Sequence, residues 1–117
     1  MKFKILTITI ALLTTAAPAS AATHRHPARL VTPAIFAKVL RVHNCEEPTW
    51  TVRGPWYAGG LGWRLATWAA YRLPWMPLSA AQATPQEQAL AMTRFVAIAN
   101  HGWWPDQVSG PRRCHGY

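Results

Sequence analysis

Two Thr-Pro pairs, Thr32-Pro33 and Thr84-Pro85, fix where helices can begin in this chain. A threonine hydroxyl accepts from the first free N–H groups of a helix, and proline supplies the φ of the first helical position without losing a hydrogen bond. From Pro33, the spacing of Ile35, Phe36, Val39, Leu40 and Val42 predicts an amphipathic helix over 33–44, ended by Pro48, which drives Glu47 out of the helical region. From Pro85, Glu87 completes a Thr-x-x-Glu capping box; Leu90, Met92, Phe95, Val96 and Ala99 supply a buried stripe, and Gly102 the C-terminal cap. A shorter helix is predicted over 65–72, with Leu65, Trp68 and Ala69 inward and Pro74 and Pro77 as stops. The Trp-, Gly- and Pro-rich stretch from Trp50 to Trp63 suits turns and a short hairpin rather than long elements, and Trp103 and Trp104 are expected to close the core. The expected fold is mainly α, α+β at most, without internal repeats.

The N-terminus reads as an export signal. Lys2 and Lys4 precede an apolar run, Ile5 to Leu13, and Ala19-Ser20-Ala21 gives the small-x-small pattern of a cleavage site. The run is too short to span a bilayer, so no stable membrane insertion is expected. The expected organisation is a signal peptide over 1–21, a mobile lead-in over 22–31 carrying His24 and His26, and one domain over 32–117. Of the 117 residues, 12 are Lys or Arg and 4 are Asp or Glu, a net charge of +8; loss of Lys2 and Lys4 leaves about +6. Such a basic exported protein suits a membrane surface or an anionic wall polymer better than nucleic acid.

About 95 mature residues make a domain that is marginal without a staple. Outside the cytoplasm an even cysteine count argues for one disulfide, here Cys45–Cys114. In the chain-entropy model a loop of that length contributes roughly 4 kcal/mol. With no Cys-x-x-Cys and no zinc-like Cys/His spacing, neither a metal nor a cofactor is expected.

Four carboxylates follow residue 21: Glu46, Glu47, Glu87 and Asp106. Glu87 is committed to capping. Glu46 follows Cys45 where the first helix gives way to the Trp-rich loop. The negative end of the helix dipole and desolvation by aromatic rings both favour a protonated carboxyl there, as a general acid requires. On residue chemistry alone, Glu46 and Glu47 read equally as solvated surface.

Cys45-Glu46, Trp50, Tyr57-Ala58-Gly59-Gly60-Leu61 and Thr67-Trp68-Ala69-Ala70-Tyr71 together resemble the catalytic domain of the resuscitation-promoting factors, transglycosylase-like proteins of actinobacteria. Ala83-Thr84 with Glu87-Gln88-Ala89, and Gly102-Trp103-Trp104-Pro105 followed by Cys114, extend the likeness over about 80 residues in the same order. The resemblance implies a small lysozyme-like domain that acts on the glycan strands of peptidoglycan; with the export signal, a secreted, cell-wall-associated monomer is expected. It implies Glu46 as the catalytic acid, Thr67, Trp63, Trp50 and Tyr57 as substrate-binding residues, and pairing of Cys45 with Cys114. Glycosidases ordinarily use two carboxylates; a lytic transglycosylase uses one, with the substrate's N-acetyl group in place of the second.

The chain also departs from the family. Glu47, Pro48 and Thr49 fill a shorter gap between the acid and Trp50. Gly62 stands where the family often has Gln, removing a sugar-contacting side chain, and eight residues, Asp106 to Arg113, separate Pro105 from Cys114. These departures favour the alternative of a non-catalytic peptidoglycan-binding or regulatory module on the same scaffold.

Overall fold

The computed structural model describes residues 31–110, 113, 114 and 117. The expected signal peptide and all but the last residue of the expected lead-in lie outside the described residues. Three helices surround a two-stranded antiparallel hairpin, and one disulfide, Cys45–Cys114, joins the first helix to the tail with a Cα–Cα distance of 5.9 Å.

Helix α1 spans Pro33–Glu46, with the Ile35 N–H donating to Thr32 Oγ1 at 3.2 Å. It runs two residues beyond the expected end. The chain leaves the helical region only at Glu47 (φ −135°, ψ 144°), immediately before Pro48. Glu46 is therefore a helical residue, and the buried Val39 and Val42 lie seven and four positions before it, on the same face. Leu40, expected on that face, is exposed, because a single residue's step rotates it away from Val39.

The hairpin pairs β1 (Tyr57–Ala58) with β2 (Trp63–Arg64), Tyr57 opposite Arg64 and Ala58 opposite Trp63. Its loop is Gly59-Gly60-Leu61-Gly62. Gly59 (φ +79°) and Gly62 (φ +63°) take the left-handed region, which costs glycine little, and Leu61 inserts fully into the core. Helix α2 (Leu65–Tyr71) follows directly. Trp68 is buried, as expected, and its indole N–H donates to Pro77 O at 3.1 Å. Leu65 and Ala69, expected inward, are exposed: in a seven-residue helix the inward face is narrow and Trp68 fills it.

Helix α3 (Pro85–Ile98) begins with the expected capping box: Glu87 N–H donates to Thr84 Oγ1 at 3.1 Å and Thr84 N–H to Glu87 Oε1 at 3.0 Å. It is the central helix, buried continuously from Gln88 to Met92 and again at Phe95 and Val96. Ala99 lies past its end and is exposed. Gly102 (φ +82°) turns the chain back and donates its N–H to Val96 O at 2.8 Å. Of the tryptophan pair only Trp104 closes the core, whereas Trp103 is 60% exposed. The tail then crosses α1, held by the Arg41–Asp106 ion pair at 3.1 Å and by Lys38 over the Trp104 ring.

Gln88 is wholly buried and is the one polar residue in the core of the described chain. Its Oε1 accepts from Gly60 N–H at 2.9 Å, and its Nε2 donates to Trp50 O, Ala80 O and Ala83 O at 3.0–3.2 Å. With two hydrogens for three carbonyls, one is shared. Replacing Gln88 by Leu keeps the volume and removes the side-chain partner of four backbone groups, of which Ala80 O keeps the Ala83 N–H. The expected cost is about 3 kcal/mol, measured as a lower urea midpoint with an unchanged m-value.

Candidate active site

Glu46 projects from the last turn of α1 onto the hairpin loop. A Cβ built on Gly62 would lie 2.5 Å from Glu46 Oε2 and 3.0 Å from its carboxyl carbon. Gly62 is therefore the seat of the carboxyl, and its bare Cα is what admits Glu46. Gly62, which stands where a longer side chain was expected from the resemblance, thus also makes room for the acid: a Cβ here would meet the carboxyl.

The same loop is gripped from two other sides. One helical turn before Glu46, His43 Nδ1 lies 2.7 Å from Gly60 O; a carbonyl only accepts, so this nitrogen carries a proton. The His43 ring stacks on Trp50 (centroids 4.1 Å apart, planes 12° from parallel), and Trp50 stacks in turn toward Phe36. Trp50 also covers Gly60 so closely that a Cβ there would fall 2.6 Å from the indole. Trp50, expected to bind substrate, is thus a half-buried buttress between α1 and the loop.

Burial is the larger of two causes that push the Glu46 carboxyl from 4.5 up to about 8; the neighbouring Glu47 is the second. The other carboxylates are committed elsewhere, Glu87 to its capping box and Asp106 to Arg41. At neutral pH Glu46 is a protonated acid at the margin of the core.

Beside the hairpin lies an open groove of about 590 Å³, lined by Pro55, Trp56, Tyr57, Arg64, Leu65 and Ala66. Trp56, 75% exposed, and the partly exposed Tyr57 offer ring faces, and Arg64 is the lining residue that bears a charge. Gly62 and Arg64 are two residues apart, so their Cα atoms are separated by at most about 7 Å. The groove wall thus starts close to the seat of the acid, although Glu46 itself does not line the groove.

Of the expected substrate residues, the structure places Tyr57 in this groove. Thr67 is half-buried on α2 and outside its lining. Trp63 has no exposed surface: its ring packs edge-on to Trp68 at 5.6 Å and to Phe95 at 6.2 Å. A ring enclosed in this way presents no face to a sugar, so Trp63 is a core residue in this structure. Trp56 and Arg64, absent from the expected set, take its place at the surface. Exposed residues in a turn leave no periodic trace, and only their pairing across the hairpin brings them together. Among the described residues, no cluster of three or more His, Cys, Asp or Glu side chains is placed to hold a metal ion.

Two outcomes follow from the seat of Glu46. In the unfolded chain this carboxyl releases its proton near 4.5, whereas in the folded protein it keeps it to about 8. Between those values the unfolded state binds fewer protons, so Glu46 makes stability fall as pH rises through the window. Allowing for screening on its solvent side, the fall is on the order of 2 kcal/mol. Urea melts from pH 4.5 to 8 should show that the wild type loses this much relative to Glu46→Gln. Gly62→Ala, which strains a positive φ and displaces the carboxyl, should cost about 1–3 kcal/mol by the same measurement.

No family model, curated protein or solved structure matches this chain. What the residues around Glu46 do therefore rests on their own chemistry.

Proposed function

We propose that this protein is a secreted enzyme that cleaves the glycan strand of peptidoglycan, with Glu46 as its single catalytic acid on a lysozyme-like scaffold. The observation that carries the reading is a carboxyl held protonated up to about pH 8 by burial and by Glu47, seated on a glycine beside an aromatic groove. A glycosidic oxygen is a poor leaving group until it is protonated, and a carboxylic acid that keeps its proton at neutral pH supplies that proton.

The distribution of the remaining carboxylates favours the one-acid route. Glu87 and Asp106 are engaged, and Glu47 follows Glu46 directly, so the two do not flank a bond from opposite sides. In the lytic route Glu46 gives its proton to the leaving oxygen while the substrate's own acetamido oxygen stabilises the anomeric carbon. The resulting carboxylate then takes the proton from the sugar's 6-hydroxyl, which closes onto that carbon as a 1,6-anhydro ring. Both carboxyl states are used once and Glu46 ends protonated.

The partner chemistry is consistent with the surface. The aromatic faces of Trp56 and Tyr57 suit the C–H faces of sugar rings, and Arg64 suits a carboxylate on the wall polymer. Export is supported by the sequence of residues 1–21 and is compatible with a disulfide, which persists in oxidising compartments. Among the described residues no helix is long and apolar enough to cross a membrane.

A second reading has one specific observation in its favour: the lining of the groove excludes Glu46. On that reading the groove holds wall glycan without cutting it.

Incubation of the purified protein with sacculi, followed by mass spectrometry, separates the two. The enzyme releases soluble muropeptides bearing anhydro ends, with a rate that falls as Glu46 ionises above pH 8. Glu46→Gln lowers release by at least about 100-fold while the fold is retained. A binding module sediments with the sacculi and yields no products. Release that is undiminished in Glu46→Gln removes Glu46 from the mechanism.

A further inference from the structure

Arg64 carries a charge that the fold does not use. The one ion pair among the described residues is Arg41–Asp106, and the Arg64 guanidinium takes no part in it. The backbone of Arg64 is committed: it pairs with Tyr57 across the hairpin, and its N–H donates to Tyr117 O at 3.4 Å. The residue is thus held in place while its side chain is left for solvent or a ligand. It stands in a groove that is otherwise aromatic and aliphatic. A guanidinium there binds a carboxylate better than one in open water, because less solvent competes for it.

The groove does not end at Leu65. A second depression of about 350 Å³ shares that residue and continues over Ala58, Leu78 and Ala80 to Ser79 and Gln82. The two halves differ in chemistry. The first offers the ring faces of Trp56 and Tyr57. The second offers none: its aromatic residue, Trp68, is 2% exposed, and the indole N–H is taken by Pro77 O. Its surface is aliphatic, the 81% exposed Leu78 above all, with one hydroxyl and one primary amide. Such a lining gains little from a sugar ring. It suits short aliphatic side chains, with Ser79 and Gln82 to hydrogen-bond peptide amides. Arg64 directly precedes the shared Leu65, so the unpaired charge belongs where the aromatic half gives way to the aliphatic half.

We propose that the second depression is a subsite for an acidic peptide, with Arg64 receiving a carboxylate of that peptide. The inference rests on the reading of the first groove as a glycan site, and it narrows the substrate to glycan whose sugars carry short anionic peptides. A peptide attached to a sugar at Trp56 and Tyr57 passes over Leu65 into a lining of matching chemistry, and its charge falls beside Arg64. Stripped glycan also bears carboxylates, on the lactyl groups left when the peptide is removed. General charge attraction therefore does not favour the peptide-bearing form.

Binding tests this without cleavage. The protein carrying Glu46→Gln is titrated calorimetrically with soluble glycan strands that bear peptides, and with the same strands stripped of peptide by an amidase. The peptide-bearing strands should bind about tenfold tighter. Arg64→Gln and, separately, Leu78→Asp, which sets a like charge in the second depression, should each cut that preference to about twofold or less, with stripped strands bound as before. All three positions substituted for comparison, Arg53, Arg64 and Leu78, are exposed, so the fold is retained. Arg53→Gln, which removes a charge outside both linings, should leave the preference intact.

Equal affinity for the two strands overturns the inference and leaves the glycan reading standing. An Arg64→Gln variant that weakens both strands alike also overturns it, since Arg64 would then read the polymer's general charge. A preference that survives Leu78→Asp, or is lost in Arg53→Gln, does the same. Binding of neither strand removes the glycan reading and the inference with it. A preference for peptide-bearing strands in a protein that releases no products from sacculi removes the enzymatic reading alone.

Discussion

The side-chain amide of Gln88 is the shared hydrogen-bond partner of three parts of the chain that meet at the core. From the centre of α3 it takes the N–H of Gly60 in the hairpin loop and supplies hydrogens to carbonyls at Trp50, Ala80 and Ala83. These belong to segments without regular structure of their own or with only a single 3-10 turn. Backbone groups buried in such segments have to be satisfied by something other than a ladder. One amide does this for four of them, and its position decides where the glycine loop lies. A Cβ on Gly59 would fall 2.6 Å from Gln88 Oε1, so the loop approaches the amide to a distance that only glycine allows.

Once the loop is fixed, the place of the acid follows. Gly60 is held from the α3 side by Gln88 and from the α1 side by His43 and Trp50. Two residues later, Gly62 presents a bare backbone to the end of α1, where Glu46 occupies the buried face established by Val39 and Val42. Seated on Gly62, the carboxyl is partly withdrawn from solvent, and burial outweighs Glu47 in raising its pKa. The site is therefore costly to the fold: it places an ionisable group where an apolar residue would continue the stripe. Such a group is retained in a small domain only if something other than stability is gained.

Much of this was legible in the sequence, and the boundary is physical. Helix starts were clear because capping is local chemistry: Thr32-Pro33 and Thr84-Pro85 with Glu87 carry their whole meaning within four residues. The end of α1 was less clear, because Pro48 restricts only Glu47 and leaves Cys45 and Glu46 free to be helical. Val39, Val42 and Glu46 fall on one helical face, so the inward direction of the carboxyl was in principle readable from the 3.6-residue period. The burial of Trp63 was not. It depends on Trp68, Phe95 and Tyr117, which arrive from α2, α3 and the tail, and no local pattern shows that three aromatic rings will enclose a fourth. Leu65 and Ala69 show the reverse error, since the inward side of a short helix is settled by its one large residue. Gln88 was visible only as part of a family-like segment, and its role depends on Gly60 and Trp50, 28 and 38 positions away.

The disulfide has a part in this arrangement beyond its effect on chain entropy. It is placed next to the acid and joins the exposed Cys45, one residue before Glu46, to the buried Cys114 of the tail, whose Tyr117 packs on Trp63. A crosslink elsewhere would restrict the unfolded chain about as well. Here it also fixes the last turn of α1, where a helix otherwise frays, and ties the tail to that turn. Gln88 positions the loop from one side and the Cys45–Cys114 bond positions the helix end and tail from the other. The Glu46 carboxyl lies where the two constraints converge, and among the described carboxyl groups it is the one whose pKa is raised.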